Sequence, residues 1–198
     1  NYKDGVSNVE FERLLAPNGP GQGKVKRPSD GREPMDVAFV QCAGSRDENH
    51  LPWCSAVCCS ASLKHALNIV EKNPKAKVKI FYIDLRVSGR NEDFLTKVQE
   101  HKNIELVKGK AGNVETGDND QLVVTAEDIL SGRKISYAAD MVVLATGIKP
   151  SGNGLISGEY NSGNGLKDGI YAIGCSRKPM DVSSSLKDAT AAALKAIQ

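Results

Sequence analysis

The middle of the chain alternates between two periods of apolar residues. Short apolar runs at residues 37–41 and 78–84 flank a stretch from about residue 56 to 72 in which apolar residues recur at helical spacing. A second amphipathic stretch at residues 91–101 leads into a third apolar run at residues 104–108. This strand–helix–strand–helix–strand order predicts an α/β fold with a Rossmann-like parallel sheet.

The pattern changes after this region. Residues 112–115, 121–127 and 134–137 read as three strands, and the turn residues at 117–120 and 131–133 separate them. Short connections of this kind join antiparallel neighbours. We therefore expect an antiparallel meander beside the parallel sheet.

The flanks add one short helix, two strands and one long helix. Residues 8–15 have a helical face, and residues 140–144 form an apolar run that enters the tight turn Ala-Thr-Gly. The segment GIYAIG at residues 169–174 predicts another strand. Residues 181–198 predict a helix with residues 183–185 as its cap. The inward face of this helix would be Leu186, Ala189, Ala193 and Ile197.

Composition and charge exclude some classes of function. The 198 residues are 40% hydrophobic, which is enough for one compact core. Basic residues number 26 against 24 acidic ones, and the net charge of +2 gives no field that would attract nucleic acid. No apolar run reaches the ~18 residues of a membrane helix, and no signal peptide opens the chain. We expect a cytoplasmic protein and, because residue 1 is asparagine, a piece of a longer one.

Four of the five cysteines lie close together along the chain. Cys42, Cys54, Cys58 and Cys59 have the spacing C-x11-C-x3-C-C. The first follows an apolar strand, and the last two open the predicted helix, with Ser55 as its expected N-cap. A helix N-terminus favours thiolate over thiol. The sequence therefore predicts that four sulfur atoms meet at one electropositive corner.

Several kinds of site fit this spacing. Thiolates suit zinc or an iron–sulfur cluster. The adjacent pair Cys58 and Cys59 suits a multi-metal cluster better than a tetrahedral zinc site, whose ligands usually come in separated pairs. Redox-active thiols, a vicinal disulfide and cysteines without a chemical role are the alternatives, and the residues alone leave them open.

Several longer segments resemble one protein family. They are FVQCAGSRDEN, WCSAVCCSASLKHA, FYIDLR, VVLATGIKP and GIYAIGCSRKPMDVSSS. Together they resemble the flavoprotein of heterodisulfide reductase, its A-subunit. The segments FERLLAPNGP and KPMDVSSSLKDATAAALKAIQ resemble more closely a relative in sulfate reducers, the A-subunit of the quinone-interacting membrane-bound oxidoreductase. The resemblance covers nearly the whole chain, and the cysteine spacing makes it specific.

The resemblance implies a thioredoxin-reductase-like plan, in which a smaller nucleotide-binding domain interrupts a FAD domain. Residues 36–144 match the interrupting domain, whereas residues 1–35 and 145–198 match only the later part of the FAD domain. No G-x-G-x-x-G turn occurs in the chain, so the segment that would cradle the pyrophosphate of FAD is absent. We therefore expect the chain to be a fragment of a larger subunit.

At the level of residues the resemblance implies two cofactors. The family positions that hold a [4Fe–4S] cluster match Cys42, Cys54, Cys58 and Cys59. The backbone turns that contact FAD match Thr146, Gly147, Gly174, Cys175, Asp181 and Val182. Cys175 stands where many flavin enzymes have an aspartate, which implies a flavin-site residue rather than a cluster ligand. Lys64 matches a residue near the flavin, although an ordinary solvated helix lysine would look the same.

The function that the resemblance implies is electron transfer in an anaerobic redox complex. FAD would take up or split electron pairs, and the cluster would relay single electrons to or from partner iron–sulfur subunits. A membrane protein of the complex would hold the chain at the cytoplasmic face of the membrane. Two alternatives stay open: a flavin-linked thiol–disulfide oxidoreductase that uses Cys58 and Cys59 as a dithiol, and a zinc-stabilised interaction domain without catalytic activity.

Overall fold

The computed structural model describes residues 2–87, 89–150 and 170–197. The chain divides into two compact units, a larger one of residues 1–44 and 58–146 and a smaller one of residues 45–57 and 147–198. None of the helices that the structure describes is both long and apolar enough to span a membrane. The domain boundaries that the resemblance implies, on either side of residues 36–144, stay a prediction.

The larger unit is built on two sheets. The strands are β1 (Gly5–Ser7), β2 (Asp36–Val40), β3 (Lys77–Tyr82), β4 (Ile104–Lys108), β5 (Ala111–Thr116), β6 (Leu122–Asp128), β7 (Arg133–Ala139) and β8 (Met141–Leu144). Five of them form a sheet in the order β1-β8-β2-β3-β4, and every neighbouring pair is parallel. The predicted parallel sheet is therefore confirmed.

Three helices cover one face of the parallel sheet. They are α1 (Asn8–Leu15), α2 (Cys58–Lys72) and α3 (Glu92–Glu100). A single core forms between these helices and the sheet, and its fully buried side chains include Phe11, Phe39, Leu63, Ile80 and Val98. Burial of such side chains is the main stabilising contribution to a layer of this kind.

The antiparallel meander β5-β6-β7 covers the other face. Its strands pair in the predicted antiparallel order. Leu122 and Val124 of β6 pack with Ala38 of β2 and Phe81 of β3 in a second buried cluster. The parallel sheet is thus covered on both faces, which explains why its central strands β2 and β8 read as continuous apolar runs.

The edge strand β1 was not predicted, because three residues carry no readable alternation. Asp4, which precedes it, is only 3% exposed. The carboxylate of Asp4 accepts hydrogen bonds from Arg27 Nη2 at 2.9 Å, Ser29 N at 2.9 Å and Ser29 Oγ at 2.7 Å. These contacts fasten the glycine- and proline-rich connection between α1 and β2 to the edge of the sheet.

The described part of the smaller unit contains a short 3₁₀ helix (Gly174–Ser176) and the helix α4 (Val182–Ala196). Residues 170–173 are not a strand, so the strand predicted at 169–174 is wrong over the part that the structure describes; residue 169 lies outside it. Asp181, and not residues 183–185, caps α4, because Ser184 N donates to its carboxylate at 2.7 Å.

The predicted inward face of α4 is wrong as well. No residue of α4 is buried, and Leu186 and Ile197 are 70% and 81% exposed. Apolar spacing shows which side of a helix can be buried, but a second element must lie over that side.

Candidate functional site

Cys42 lies at the carboxyl end of β2, in the larger unit. Gln41 N donates to Phe81 O at 2.9 Å, and Ala43 N donates to Ala145 O at 3.1 Å. Between these two bonds Cys42 has a φ of +56°, in the left-handed region that residues with a side chain seldom adopt. The backbone is therefore fixed on both sides of a sharp turn at the edge of the sheet.

Cys58 and Cys59 lie in the first turn of α2, as predicted, since the helix begins at Cys58. Cys58 is half-buried, and Cys59 is buried, with its Sγ 3.8 Å from the carbonyl oxygen of Asp84. The first turn of α2 contains no acidic residue. The N-terminus of the helix and its dipole therefore favour thiolate at both positions without an opposing carboxylate in that turn.

The prediction that Ser55 caps α2 is wrong. Ser55 lies in the smaller unit, is 1% exposed, and its hydroxyl accepts a hydrogen bond from Ile148 N at 2.7 Å. Trp53 Nε1 donates to the carbonyl oxygen of the same Ile148 at 3.1 Å. Both side chains therefore serve to hold the backbone that follows the Ala-Thr-Gly turn.

Cys54 belongs to the loop of residues 45–57 in the smaller unit. Its Sγ accepts a hydrogen bond from Ala56 N at 3.4 Å. Two backbone hydrogen bonds close the loop, from Arg46 N to Trp53 O at 3.2 Å and from Asp47 N to Leu51 O at 3.1 Å. The loop is thus held by its own backbone as well as by the contacts of Trp53 and Ser55.

The chemistry of the four thiols suits an iron–sulfur cluster, because thiolates are the soft ligands that such clusters use. None of the five cysteines, all of which the structure describes, forms a disulfide. Among the described residues no three His, Cys, Asp or Glu side chains are close enough to hold a metal ion. The cluster therefore stays a prediction.

Gly147 forms the tight turn that the sequence predicts after β8. Its φ is +88°, and a Cβ atom at this position would lie 2.1 Å from Ser45 Oγ and 2.8 Å from Ser55 Oγ. Both serines are buried, so only glycine fits. Thr146, the residue before it, is the last residue of the larger unit. Contact of either residue with FAD stays a prediction.

The turn around Gly174 is fixed by its own polar groups. Gly174 has a φ of +58°, and its N–H donates to Asp188 Oδ2 at 2.9 Å. Arg177 Nη2 donates to the other oxygen of Asp188 at 2.6 Å. Cys175 is exposed, and its thiol donates to Met180 O at 3.4 Å. Cys175 thus lies on an accessible, preformed turn.

Asp181 and Val182 lie at the N-terminus of α4. The hydrogen bond from Ser184 N holds the pKa of the Asp181 carboxyl below its ordinary value. Val182, the first helical residue, is 87% exposed. Backbone N–H groups at such a position can meet an anionic group of a ligand, but whether FAD lies there stays a prediction.

Lys64 lies on α2 in an ion pair that was missed in the sequence. Its Nζ is 2.6 Å from Glu12 Oε2 of α1, and the buried His65 brings its Nε2 within 2.5 Å of the same oxygen. The hydrogen bond from Lys64 lowers the pKa of Glu12, and burial lowers the pKa of His65. Glu12 and His65 are far apart in the chain, and no spacing in the sequence indicates their contact. The position of Lys64 near a flavin remains a prediction.

Comparison with known proteins gives relatives over most of the chain. The chain is 35% identical to the iron-sulfur A-subunit of a CoB–CoM heterodisulfide reductase of Methanopyrus kandleri, over 98% of this chain and 33% of the relative. It is 34% identical to the A-subunit of an H₂:CoB–CoM heterodisulfide,ferredoxin reductase of Methanothermobacter marburgensis, over 96% of this chain and 32% of the relative. It therefore spans about a third of the length of these relatives. No protein-family model matches the chain.

Solved structures support the same fold. Thioredoxin reductase of Lactococcus lactis matches with a TM-score of 0.51 at 15% identity, over 82% of this chain and 52% of the reductase. Thioredoxin reductase of T. acidophilum matches with a TM-score of 0.53 at 14% identity, over 81% of this chain and 51% of the reductase. The fold is thus the thioredoxin-reductase-like α/β fold. With identities of 34–35% over 96–98% of its length, the chain is homologous to about a third of the A-subunits of the heterodisulfide reductases.

Proposed function

We propose that this chain is part of an electron-transfer subunit that carries FAD and an iron–sulfur cluster in an anaerobic redox complex. The observation that carries the proposal is the position of three cysteines at one edge of the larger unit. Cys42 follows β2, and Cys58 and Cys59 occupy the first turn of α2. The M. kandleri relative, 35% identical, is named an iron-sulfur subunit, which supports the same assignment.

In this proposal Cys42, Cys54, Cys58 and Cys59 supply the four thiolates of a [4Fe–4S] cluster. Such a cluster, when bound, accepts and releases one electron at a time. The protein would stabilise the thiolates of Cys58 and Cys59 through the N-terminus of α2. The left-handed turn at Cys42 would fix the first ligand relative to the sheet.

FAD would lie against the turns whose family positions match Thr146, Gly147, Gly174, Cys175, Asp181 and Val182. Two observations support a role for these turns in exposing backbone N–H and C=O groups to FAD. Gly147 is packed so closely that no side chain fits, and Gly174 is held by Asp188. Lys64 would adjust the flavin potential, which requires its ammonium group to leave Glu12 or to act from its place beside it. In the longer protein these residues would complete a flavin site.

The names of the relatives describe subunits, which supports a role inside a complex. We propose that the partners are other iron–sulfur subunits that receive or deliver single electrons. If the protein is of the quinone-interacting type, a membrane protein of the complex would hold it at the cytoplasmic face of the membrane. The net charge of +2 offers no reason to add nucleic acid as a partner.

Anaerobic reconstitution with iron and sulfide tests the cluster. We expect about four irons per chain and broad visible absorbance. Cys58→Ala should lose both, because a ligand is removed. Cys175→Ala is the matched control and should retain both, because Cys175 is assigned to the flavin turn.

Three results would contradict this proposal in different ways. Zinc alone after reconstitution would support the zinc-stabilised interaction domain. Titratable thiols that cycle with a disulfide, without iron, would support the thiol–disulfide oxidoreductase. Loss of iron in Cys175→Ala but not in Cys58→Ala would show that the cysteines have been assigned to the wrong sites.

A further inference from the structure

The turn between β6 and β7, residues 128–132, carries two exposed apolar side chains and is called the hairpin tip below. Ile129 is 59% exposed and Leu130 is 77% exposed. Turns are usually built from glycine, asparagine, aspartate, serine and proline, and an apolar side chain that stays in water contributes no burial energy. An isoleucine and a leucine side by side at a turn are therefore typical of a surface that something apolar covers.

Hydrogen bonds fix the backbone of the hairpin tip. The carboxylate of Asp128 accepts a hydrogen bond from Leu130 N at 3.1 Å. Gly132 N donates to Asp128 O at 2.8 Å, and Gly132 has a φ of +65°. Ile129 N donates to Lys108 O at 2.8 Å, which fastens the tip to the end of β4. The two apolar side chains are thus presented by a preformed turn, so little conformational entropy is lost when they bind a surface.

Basic residues flank the hairpin tip. In the register of β6 and β7, Arg133 lies opposite Asp128 and Lys134 lies opposite Glu127. Both Arg133 and Lys134 are exposed. Basic residues next to the tip outnumber acidic ones by four to two: Lys108, Lys110, Arg133 and Lys134 against Glu127 and Asp128. An excess of basic side chains beside exposed apolar ones is complementary to a surface that is negatively charged and apolar beneath.

The composition of the hairpin tip favours lipid over a protein partner. The cores of protein interfaces are enriched in aromatic residues and depleted in lysine, and leucine is rare among the residues that dominate their binding energy. The tip has two aliphatic side chains and no aromatic one, and three of its four basic neighbours are lysines. Segments that bind at membrane interfaces combine the burial of apolar area with the attraction of Lys and Arg to anionic lipids.

We propose that the hairpin tip docks the protein directly onto a membrane surface that contains anionic lipids. Ile129 and Leu130 enter the boundary between the headgroups and the acyl chains, and the basic side chains meet the lipid phosphates. A strand rises about 3.3 Å per residue, so Arg133 and Lys134 lie within about 10 Å of the tip. Apolar faces bound at membrane interfaces lie about 5–10 Å deep, which agrees with that distance. This contact goes beyond the proposed function, because it needs neither the cofactors nor a membrane protein of the complex.

Co-sedimentation with lipid vesicles tests this inference. The 198-residue chain is mixed with vesicles of phosphatidylcholine alone, or of phosphatidylcholine and phosphatidylglycerol in equal amounts, and the bound fraction is measured at several salt concentrations. Two double variants each remove one contribution. Ile129→Ser with Leu130→Ser removes the apolar side chains, and Arg133→Gln with Lys134→Gln removes two positive charges.

Matched controls change the same properties elsewhere in the larger unit. Val9→Ser removes an apolar side chain that is 79% exposed on α1. Lys75→Gln with Lys77→Gln removes two exposed lysines near the start of β3, at the other end of the parallel sheet from Lys108. Leu130→Trp is a variant for increased binding, because tryptophan prefers the membrane interface and misfolding would not mimic a gain. Circular dichroism checks that every variant is folded.

We expect wild type to bind the anionic vesicles and not the neutral ones, and the binding should weaken as the salt concentration rises. Each double variant at the tip or beside it should weaken binding about tenfold or more, because it removes either the apolar burial or two charge contacts. Leu130→Trp should bind more tightly than wild type. The controls Val9→Ser and Lys75→Gln with Lys77→Gln should bind as wild type does.

Three results would overturn the inference. Absence of wild-type binding to the anionic vesicles would refute lipid as the partner and favour a protein that covers the tip. Equal binding of wild type and of Ile129→Ser with Leu130→Ser would show adsorption by charge alone. Equal losses in the two lysine and arginine double variants would show that net charge, and not the hairpin tip, attracts the vesicles. None of these results depends on iron or flavin, so the proposed function is tested separately.

Discussion

Glu12→Ala should destabilise the larger unit by about 2 kcal/mol, and Lys64→Ala should destabilise it by much less. Both variants break a contact with the same carboxylate oxygen. Lys64 Nζ lies 2.6 Å and His65 Nε2 lies 2.5 Å from Glu12 Oε2. The two contacts differ in burial, and burial should decide how much free energy of unfolding each variant loses.

The magnitude follows from what each variant leaves behind. His65 is 1% exposed, and its Nδ1 already lacks a hydrogen bond among the described residues. Removing the Glu12 carboxylate leaves the buried Nε2–H unpaired as well, which costs roughly 1–3 kcal/mol. The side chains of Lys64 and Glu12 are 49% and 54% exposed, so their ion pair contributes only about 0–1 kcal/mol.

Urea unfolding followed by circular dichroism measures these differences. Glu71→Ala, an exposed glutamate on α2, is the control and should lie within about 0.5 kcal/mol of wild type. The control also measures the few tenths of a kcal/mol that alanine adds through helix propensity. Equal costs for Glu12→Ala and Lys64→Ala would refute the reasoning, since they would show that the exposed ion pair matters as much as the buried hydrogen bond.

Three further results are expected. Gly147→Ala should lower the melting temperature more than Gly174→Ala. Both glycines have positive φ, but a Cβ atom at Gly147 would lie 2.1 Å from Ser45 Oγ, whereas a Cβ atom at Gly174 would meet nothing nearer than 3.5 Å. Equal melting temperatures would contradict this reasoning. The free energy of unfolding should fall as the pH drops below 6.5. Burial lowers the pKa of His65 below its ordinary value of 6.5, so the unfolded state takes up the proton first. His65→Gln should flatten the dependence of the unfolding free energy on pH, and an unchanged slope in that variant would contradict the role of His65. Calorimetry of this chain with FAD or NAD(P)H should show no binding in the low micromolar range, because no G-x-G-x-x-G turn offers backbone N–H groups to the pyrophosphate; micromolar affinity for either would show that the dinucleotide site has been misjudged.

Local chemistry explains what could be predicted from the sequence. The helix at residues 8–15 was predicted with its bounds from its apolar face. The structure adds a capping box between Ser7 and Glu10 at its start. Apart from the edge strand β1, the strands of the parallel sheet and the meander were predicted within two residues at each end, because their apolar runs are bounded by clear turn residues. The start of α2 was predicted in the same way, from the helical spacing of its apolar residues.

The remaining features depend on contacts between distant residues. Ser55 looked like a helix cap, but its hydroxyl accepts a hydrogen bond from Ile148 N. A contact between residues so far apart in the chain cannot be predicted from local spacing. Glu12 meets Lys64 and His65 only because α1 packs on α2. The apolar stripe of α4 was visible, but whether anything covers it is not a property of the stripe. The burial of Gln41, whose side-chain amide makes no hydrogen bond within the described part of the chain, could not be read from the sequence either.

The hydrogen bonds that Asp4 accepts from Arg27 and Ser29 also affect how the protein interacts with other copies of itself. β8 carries the fully buried Val142 and Val143, and on one side its hydrogen-bonding groups are covered only by the three residues of β1. An apolar strand whose backbone is uncovered is a template for pairing with another chain. By holding β1 in place, Arg27 and Ser29 keep the backbone of β8 paired within the chain, so their contacts also oppose pairing of β8 with a strand of another copy.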